Sequence, residues 1–175
     1  MKYDVVPLSK IIKEWTIEDA NRFLSGFACD RDRDLEVFLH KRAIVYEKRD
    51  LARTFLLVSE ETIVGYFSLA NTILEIGDDW PVSETLKRKM NVADGPAPAY
   101  LIGQLCKANG VDEKIGHEII NIAMSMINSM RKFGGGRVVC VDCKKELLEF
   151  YERNGFRVIS RPSEDGLYRM VMLCS

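Results

Sequence analysis

Residues 137–159, Arg-Val-Val-Cys-Val-Asp-Cys-Lys-Lys-Glu-Leu-Leu-Glu-Phe-Tyr-Glu-Arg-Asn-Gly-Phe-Arg-Val-Ile, set out a strand, a helix and a second strand in quick succession. The valines make 137–141 a strand, and a helix over 145–153 and a strand over 156–159 follow. A last strand is predicted at 167–173. Just upstream, Gly134-Gly135-Gly136 stops a helix predicted over 116–132, in which Ile119, Ile120, Ala123, Met124, Ile127 and Met130 recur on one side. Before it, residues 99–107 are apolar on both faces, as a central strand is.

Further out, residues 77–98 interrupt the pattern with Gly, Pro and charge, leaving room for one short helix at 83–90. Long excursions of this kind often carry substrate contacts. Two strand-like runs, 52–58 and 63–70, with four residues between them, predict a hairpin. Thr16-Ile17-Glu18-Asp19 is a helix start, with Thr16 as cap and acids in the first turn. Ala20, Phe23, Leu24 and Phe27 continue it at helical spacing. A second helix is predicted over 34–48, with Leu35, Phe38, Leu39, Arg42 and Tyr46 near one face. The order is a mixed α/β (α+β) single domain, 1–175, with one central sheet.

Bulk composition narrows the function classes. The 175 residues suffice for one domain, and 47% apolar residues supply its core. With 25 Lys and Arg against 26 Asp and Glu, the net charge of −1 argues against a broadly basic nucleic-acid-binding surface. Five Pro, twelve Gly and no low-complexity tract argue against disorder. The opening MKYDVVPLSKIIKEW is too charged for a signal peptide, and no run of 18 apolar residues occurs. Five scattered cysteines do not form a secreted disulfide framework. The expectation is a cytoplasmic chain with reduced thiols and no membrane partner.

Glu149-Phe150-Tyr151-Glu152-Arg153-Asn154-Gly155-Phe156 resembles the Phe-Tyr-x-x-x-Gly-Phe that closes the last helix of the GNAT superfamily of N-acetyltransferases. Ile63-Val64-Gly65-Tyr66-Phe67 is similar to a strand of that family, and residues 98–106, Pro-Ala-Tyr-Leu-Ile-Gly-Gln-Leu-Cys, look like its fourth strand. The matches extend over about residues 15–173. Within the superfamily the chain is most similar to the subgroup that includes the toxins acetylating aminoacyl-tRNA. Phe27-Ala28-Cys29, the helix around Phe38 and Arg53-Thr54-Phe55 are placed similarly there. The resemblance implies a GNAT-like mixed central β-sheet flanked by helices, with acetyl-CoA as co-substrate and no metal.

It also implies a mechanism. An amine attacks the thioester directly, and Tyr151 is the general acid to the departing CoA thiolate. A phenol near pKa 10 can protonate the departing thiolate, whose thiol has a pKa near 8.5, as charge develops on sulfur. The family's pyrophosphate loop corresponds to Val111-Asp112-Glu113-Lys114-Ile115-Gly116, where only the last glycine is kept. Lys114, Ile115, Gly116 and His117 are therefore the candidate phosphate contacts, at a helix N-terminus suited to anions. Asp112 and Glu113 have the wrong sign beside a pyrophosphate unless they point outward. Backbone groups of Leu105 and Lys107 are the candidate pantetheine contacts. Lys144 stands where many relatives carry Asn.

Other features have plain readings. Cys140-x-x-Cys143 lacks the second pair a zinc site needs and does not open a helix, so two buried small residues are expected. His40 and His117 lie far apart in sequence, and Trp15 and Trp80 are expected to pack. Residues 29–53 carry seven basic and six acidic residues, which is no patch.

The leading reading is an N-acetyltransferase acting on a primary amine of a small molecule or peptide. Strand 99–107 carries no acid to deprotonate an ammonium, so low-pKa α-amino groups, aminoacyl conjugates included, are favoured over lysine side chains. Two alternatives remain: a catalytically impaired regulatory or cofactor-sensing module, and a tRNA-directed toxin, against which the near-zero net charge counts. Oligomeric state is left open, a homodimer included.

Overall fold

Thr62–Leu74 forms a 13-residue strand in which Ile63 to Leu69 are all buried. A run buried on both faces is what a central strand needs, and the expected strand at 63–70 is four residues longer at its C-terminal end. The structure is a computed structural model that describes residues 2–112 and 114–175. In chain order its strands are β1 Asp4–Pro7, β2 Arg53–Ser59, β3 Thr62–Leu74, β4 Ala97–Lys107, β5 Val138–Cys143, β6 Arg157–Val158 and β7 Tyr168–Leu173. They make one seven-stranded sheet in the order β1-β2-β3-β4-β5-β7-β6. The packing divides into two units, residues 1–70 with 103–123, and residues 71–102 with 124–175.

In the first unit the chain begins with β1, paired antiparallel to β2 from Asp4↔Val58 to Pro7↔Phe55, and runs straight into helix α1, Leu8–Glu14. Neither element shows in the sequence pattern, because four and seven residues are too few to establish a period. Helix α2, Ile17–Ser25, starts as expected, with the Thr16 hydroxyl accepting from the Asp19 N–H at 3.1 Å. The helix expected over 34–48 is three segments: α3 Arg33–Val37, a π turn Phe38–Arg42, and α4 Ala43–Lys48. At the turn the Ala43 N–H reaches back five residues to the Phe38 carbonyl, so one surplus residue is absorbed. That surplus lets Phe38, Leu39 and Ala43 all face the core.

These helices pack with Leu56 and Tyr66 in one apolar cluster. The Tyr66 ring meets Phe27 edge-on at 5.4 Å and stacks with Phe38 at 6.3 Å, while its hydroxyl donates to the Leu35 carbonyl at 2.5 Å. Each such aromatic pair contributes about 1 kcal/mol beyond its burial. The buried Glu47 carboxylate accepts from the Thr54 N–H at 2.9 Å and from Arg53 at 3.0 Å, clasping α4 to β2. The β2–β3 connection is two residues, Glu60–Glu61, rather than the four expected, because Ser59 and Thr62 pair within the ladder. Both glutamates lie at positive φ, 48° and 63°, as a two-residue turn matching strand twist requires.

In the second unit, helix α5, Glu84–Met90, starts on the Ser83 hydroxyl and closes on Asn91 at φ 62°. Strand β4 pairs parallel to β5 from Ala99↔Val138 to Ile102↔Val141, and β5 pairs antiparallel to β7 from Val138↔Leu173 to Cys143↔Tyr168. Helix α6, Lys114–Gly134, ends at the glycine run as expected but starts two residues earlier. A 3₁₀ turn, Lys145–Leu147, opens helix α7, Leu148–Arg153. Met90, Val92, Ala99, Cys140, Ile159 and Val171 are buried together in the unit's core.

Candidate functional site

Six of the seven candidate residues meet at the corner where β4 passes into α6. The β4–β5 ladder ends at Ile102↔Val141, and β4 continues for five residues beyond it to Lys107. A strand that outruns its parallel neighbour keeps backbone groups available for another amide chain. Leu105 and Lys107 lie in this stretch and are half-buried. Lys107 Nζ donates to the Val111 carbonyl at 2.5 Å, so this side chain braces the connection leading to α6.

The helix entry differs from the expected phosphate cradle at one residue. Asp112 Oδ1 accepts from the Lys114 N–H at 2.8 Å, and the Asp112 carbonyl accepts from the Ile115 N–H at 3.3 Å. Asp112 is thus a helix cap, a role readable from an Asp placed just before the apolar run of a helix. Its carboxylate occupies one of the N–H groups an anion would use. Lys114 and His117 are exposed, whereas Ile115 and Gly116 are buried. Glu113 lies outside the described residues.

Close packing holds this corner. A Cβ on Gly65 would fall 2.9 Å from Ile119 Cδ1 of α6 and 3.1 Å from the Cys106 carbonyl. Glycine lets β3 approach both elements, which is the physical content of the Val-Gly-Tyr strand motif. Cys106 Sγ donates to Cys29 Sγ at 2.8 Å, a thiol pair that no sequence spacing reveals because 77 residues separate the two. Burial first, then the contact with Cys29, pushes the Cys106 thiol far above its ordinary range. The Asn109 side chain accepts from the Asp30 N–H at 3.0 Å, tying the loop after Phe27 to the same corner.

Tyr151 belongs to the second unit, at the end of α7, where it is buried. Phe150 and Phe156 meet its ring edge-on at 5.1 and 5.6 Å. Gly155, at φ +90°, turns the chain so that the Phe156 N–H returns to the Tyr151 carbonyl at 3.1 Å. A Cβ there would lie 3.1 Å from Met172 Sδ. The Phe-Tyr-x-x-x-Gly-Phe pattern is therefore a helix end folded back on its own tyrosine, which fixes the ring's direction.

The remaining features fall as expected or join the scaffold. Cys140 and Cys143 are both buried, and burial pushes each thiol up to about 11. The two carboxylate oxygens of Asp142 on β5 accept from Nε and Nη2 of Arg169 on β7, at 2.5 and 2.8 Å. His40 Nε2 lies 2.8 Å from the Phe27 carbonyl, a structural contact. Trp15 packs on Phe23 at 5.3 Å while remaining 44% exposed, and Trp80 packs on the second unit's core. Among the described residues no group of three His, Cys, Asp or Glu could hold a metal, and no helix is long and apolar enough to cross a membrane.

The fold is shared with solved structures of KacT and of the AtaT toxin. The structure superimposes on a Tyr-to-Phe mutant of KacT with a TM-score of 0.75 and 19% identity, covering 97% of this chain and 94% of that one. It superimposes on AtaT complexed with acetyl-methionyl-tRNAfMet with a TM-score of 0.73 and 18% identity, over 95% and 94% of the two chains. For AtaTR bound with acetyl-CoA the values are 0.67 and 17%, over 98% and 94%. No protein-family profile and no curated protein sequence matches the chain.

Proposed function

We propose that the chain is an acetyl-CoA-dependent N-acetyltransferase whose acceptor is the α-amino group of an aminoacyl-tRNA. The observation that carries this reading is the likeness, over nearly the whole chain, to AtaT in complex with acetyl-methionyl-tRNAfMet. Acceptor chemistry favours it independently. The β4 stretch 99–107 carries no acid, which favours an amine that arrives neutral over one that needs a base such as Glu75, Asp78 or Asp79 acting through water. An α-amino group near pKa 7.7–8.0 meets that demand, and an ester on the same carbon lowers it further.

Pantetheine amides take the backbone of Leu105 and Lys107, and the pyrophosphate takes the Gly116 and His117 end of α6 with Lys114 beside it. Asp112 must turn away from the Lys114 N–H as the anion binds, so the pocket exchanges an internal acceptor for an external one. The neutral amine nitrogen attacks the thioester carbonyl carbon. As the tetrahedral adduct collapses, the C–S bond breaks, Tyr151 donates its phenolic proton to sulfur, the amine proton passes to water, and the Tyr151 phenolate takes a proton back from water.

The small-molecule acceptor is thereby displaced as first choice by the tRNA-borne one. The test supplies a set of aminoacyl-tRNAs with labelled acetyl-CoA, then hydrolyses the ester and identifies N-acetyl amino acids. Label is expected on at least one amino acid and only when it is attached to tRNA. Label on free amino acids or dipeptides at equal rates defeats the tRNA reading. Acetyl-CoA binding without transfer to any amine supports the sensing module, which the capped α6 entry motivates.

A further inference from the structure

We propose that the C-terminal ends of α5 and α6 in the second unit form an RNA-docking surface that carries the body of the tRNA; this rests on the acceptor class argued above. Windows 87–89 and 131–137 contain six basic and no acidic residues. Near-zero net charge conceals this grouping because the acids lie elsewhere in the chain.

Hydrogen bonds gather the cations. Arg137 Nη1 donates to the Lys89 carbonyl at 3.2 Å, which seats the guanidinium at the end of α5. The Arg137 carbonyl accepts from the Cys174 N–H at 2.8 Å, and the next carbonyl, Ser175, accepts from Arg131 Nη1 at 2.8 Å. Lys87 is paired with Glu84 at 2.8 Å. Arg88, Lys89, Lys132 and Arg137 are exposed and make no ion pair among the described residues. Cations at a helix C-terminus offset its dipole, roughly half a charge. Three in the last turn of a seven-residue helix exceed that need, and Arg137 belongs to no helix.

One aromatic ring stands beside the charges. Phe133 is 94% exposed, next to Lys132 at the end of α6. The loop after it is held: Tyr100 donates to the Gly135 carbonyl at 2.6 Å, and a Cβ on Gly136 would fall 2.8 Å from the Tyr100 ring. An uncovered phenyl beside Lys132 is a stacking partner for an unpaired base, while the cations take backbone phosphates.

The experiment measures tRNA binding by fluorescence anisotropy from about 50 to 200 mM salt, the range over which counterion release is steep. The full chain is compared with Arg88→Gln/Lys89→Gln/Arg137→Gln, with Phe133→Ser, and with a charge-matched control, Lys10→Gln/Lys13→Gln/Lys41→Gln. The first variant should bind about tenfold or more weakly, with the log–log salt slope reduced by about 2–3, at roughly 0.7–0.9 per phosphate contact. Phe133→Ser should weaken binding with the slope kept, and the control should match wild type. Acetyl-CoA affinity should stay unchanged in all variants. Equal binding by the triple variant and wild type overturns the proposal, as does a wild type that binds no tRNA or prefers duplex DNA or anionic vesicles. A wild type that binds tRNA through this surface yet acetylates no aminoacyl-tRNA supports the surface and overturns the acceptor assignment alone.

Discussion

Tyr151 is buried between two phenylalanines at the end of a helix, so its removal as acid can be separated from its removal as a packing group. Tyr151→Phe keeps the ring and should lower kcat by roughly 10²–10⁴ with acetyl-CoA affinity nearly unchanged. Loss of folding or of cofactor binding in that variant would make the tyrosine a core residue. A second residue tests the scaffold: among the described residues Thr54 Oγ1 is buried without a hydrogen-bond partner. Thr54→Val keeps the shape and removes an unsatisfied hydroxyl, so urea unfolding should show stabilisation by about 1 kcal/mol. At this scale the sequence was legible where a residue's role is local. The helix end that folds back at Gly155 is a contiguous motif, and the Thr16 cap is a three-residue relation. The Cys29–Cys106 pair was illegible because only tertiary packing brings β4 beside the loop after Phe27. Asp112 could be read as the wrong sign for phosphate, yet its turn onto the Lys114 N–H depends on where the helix begins.

Strands and helices of ordinary length were readable from periodicity alone, and the misreadings share a cause. Wherever one residue more or less changes the pattern, local spacing is silent: the surplus residue in the π turn, the two-residue hairpin, and the short β1 and α1. What positions the candidate site is the approach of β3 to α6, and Gly65 sets it. Gly65→Ala must displace Ile119 or the Cys106 carbonyl and should cost on the order of 1–3 kcal/mol by denaturant titration. Since α6 would shift with Ile119, acetyl-CoA affinity should fall in the same variant. An unchanged stability would mean that the corner is loosely packed. At the same helix, Lys114→Glu reverses the exposed charge beside the proposed pyrophosphate contacts. Calorimetry should find acetyl-CoA binding weakened about tenfold or more, the effect shrinking as salt screens it; equal affinity would place the phosphates elsewhere.

For the whole molecule, two buried thiols link stability to alkaline pH. Cys140 and Cys143 ionise near 11 when folded against 9.0 ordinarily, because burial disfavours the thiolate. Their contribution is complete below pH 9 and is lost as pH rises through about 11, since the unfolded chain gives up these protons first. Urea midpoints should therefore fall across that window, and Cys140→Val should flatten part of the fall. An identical pH profile in the variant would assign the loss to other groups. Both packing units are assembled from two separate stretches of chain, with the breaks inside β3, β4 and α6. During synthesis the helices α1 to α4 and the β2–β3 hairpin emerge early, yet the unit they belong to is incomplete until residue 123 has left the ribosome. At roughly 5–20 residues per second that is a wait of about 3–10 seconds. For that interval Tyr66 and its neighbours have their helical cover while Ile119 is still unmade, so the nascent chain spends seconds with the β3 surface that will receive α6 open to any passing chaperone.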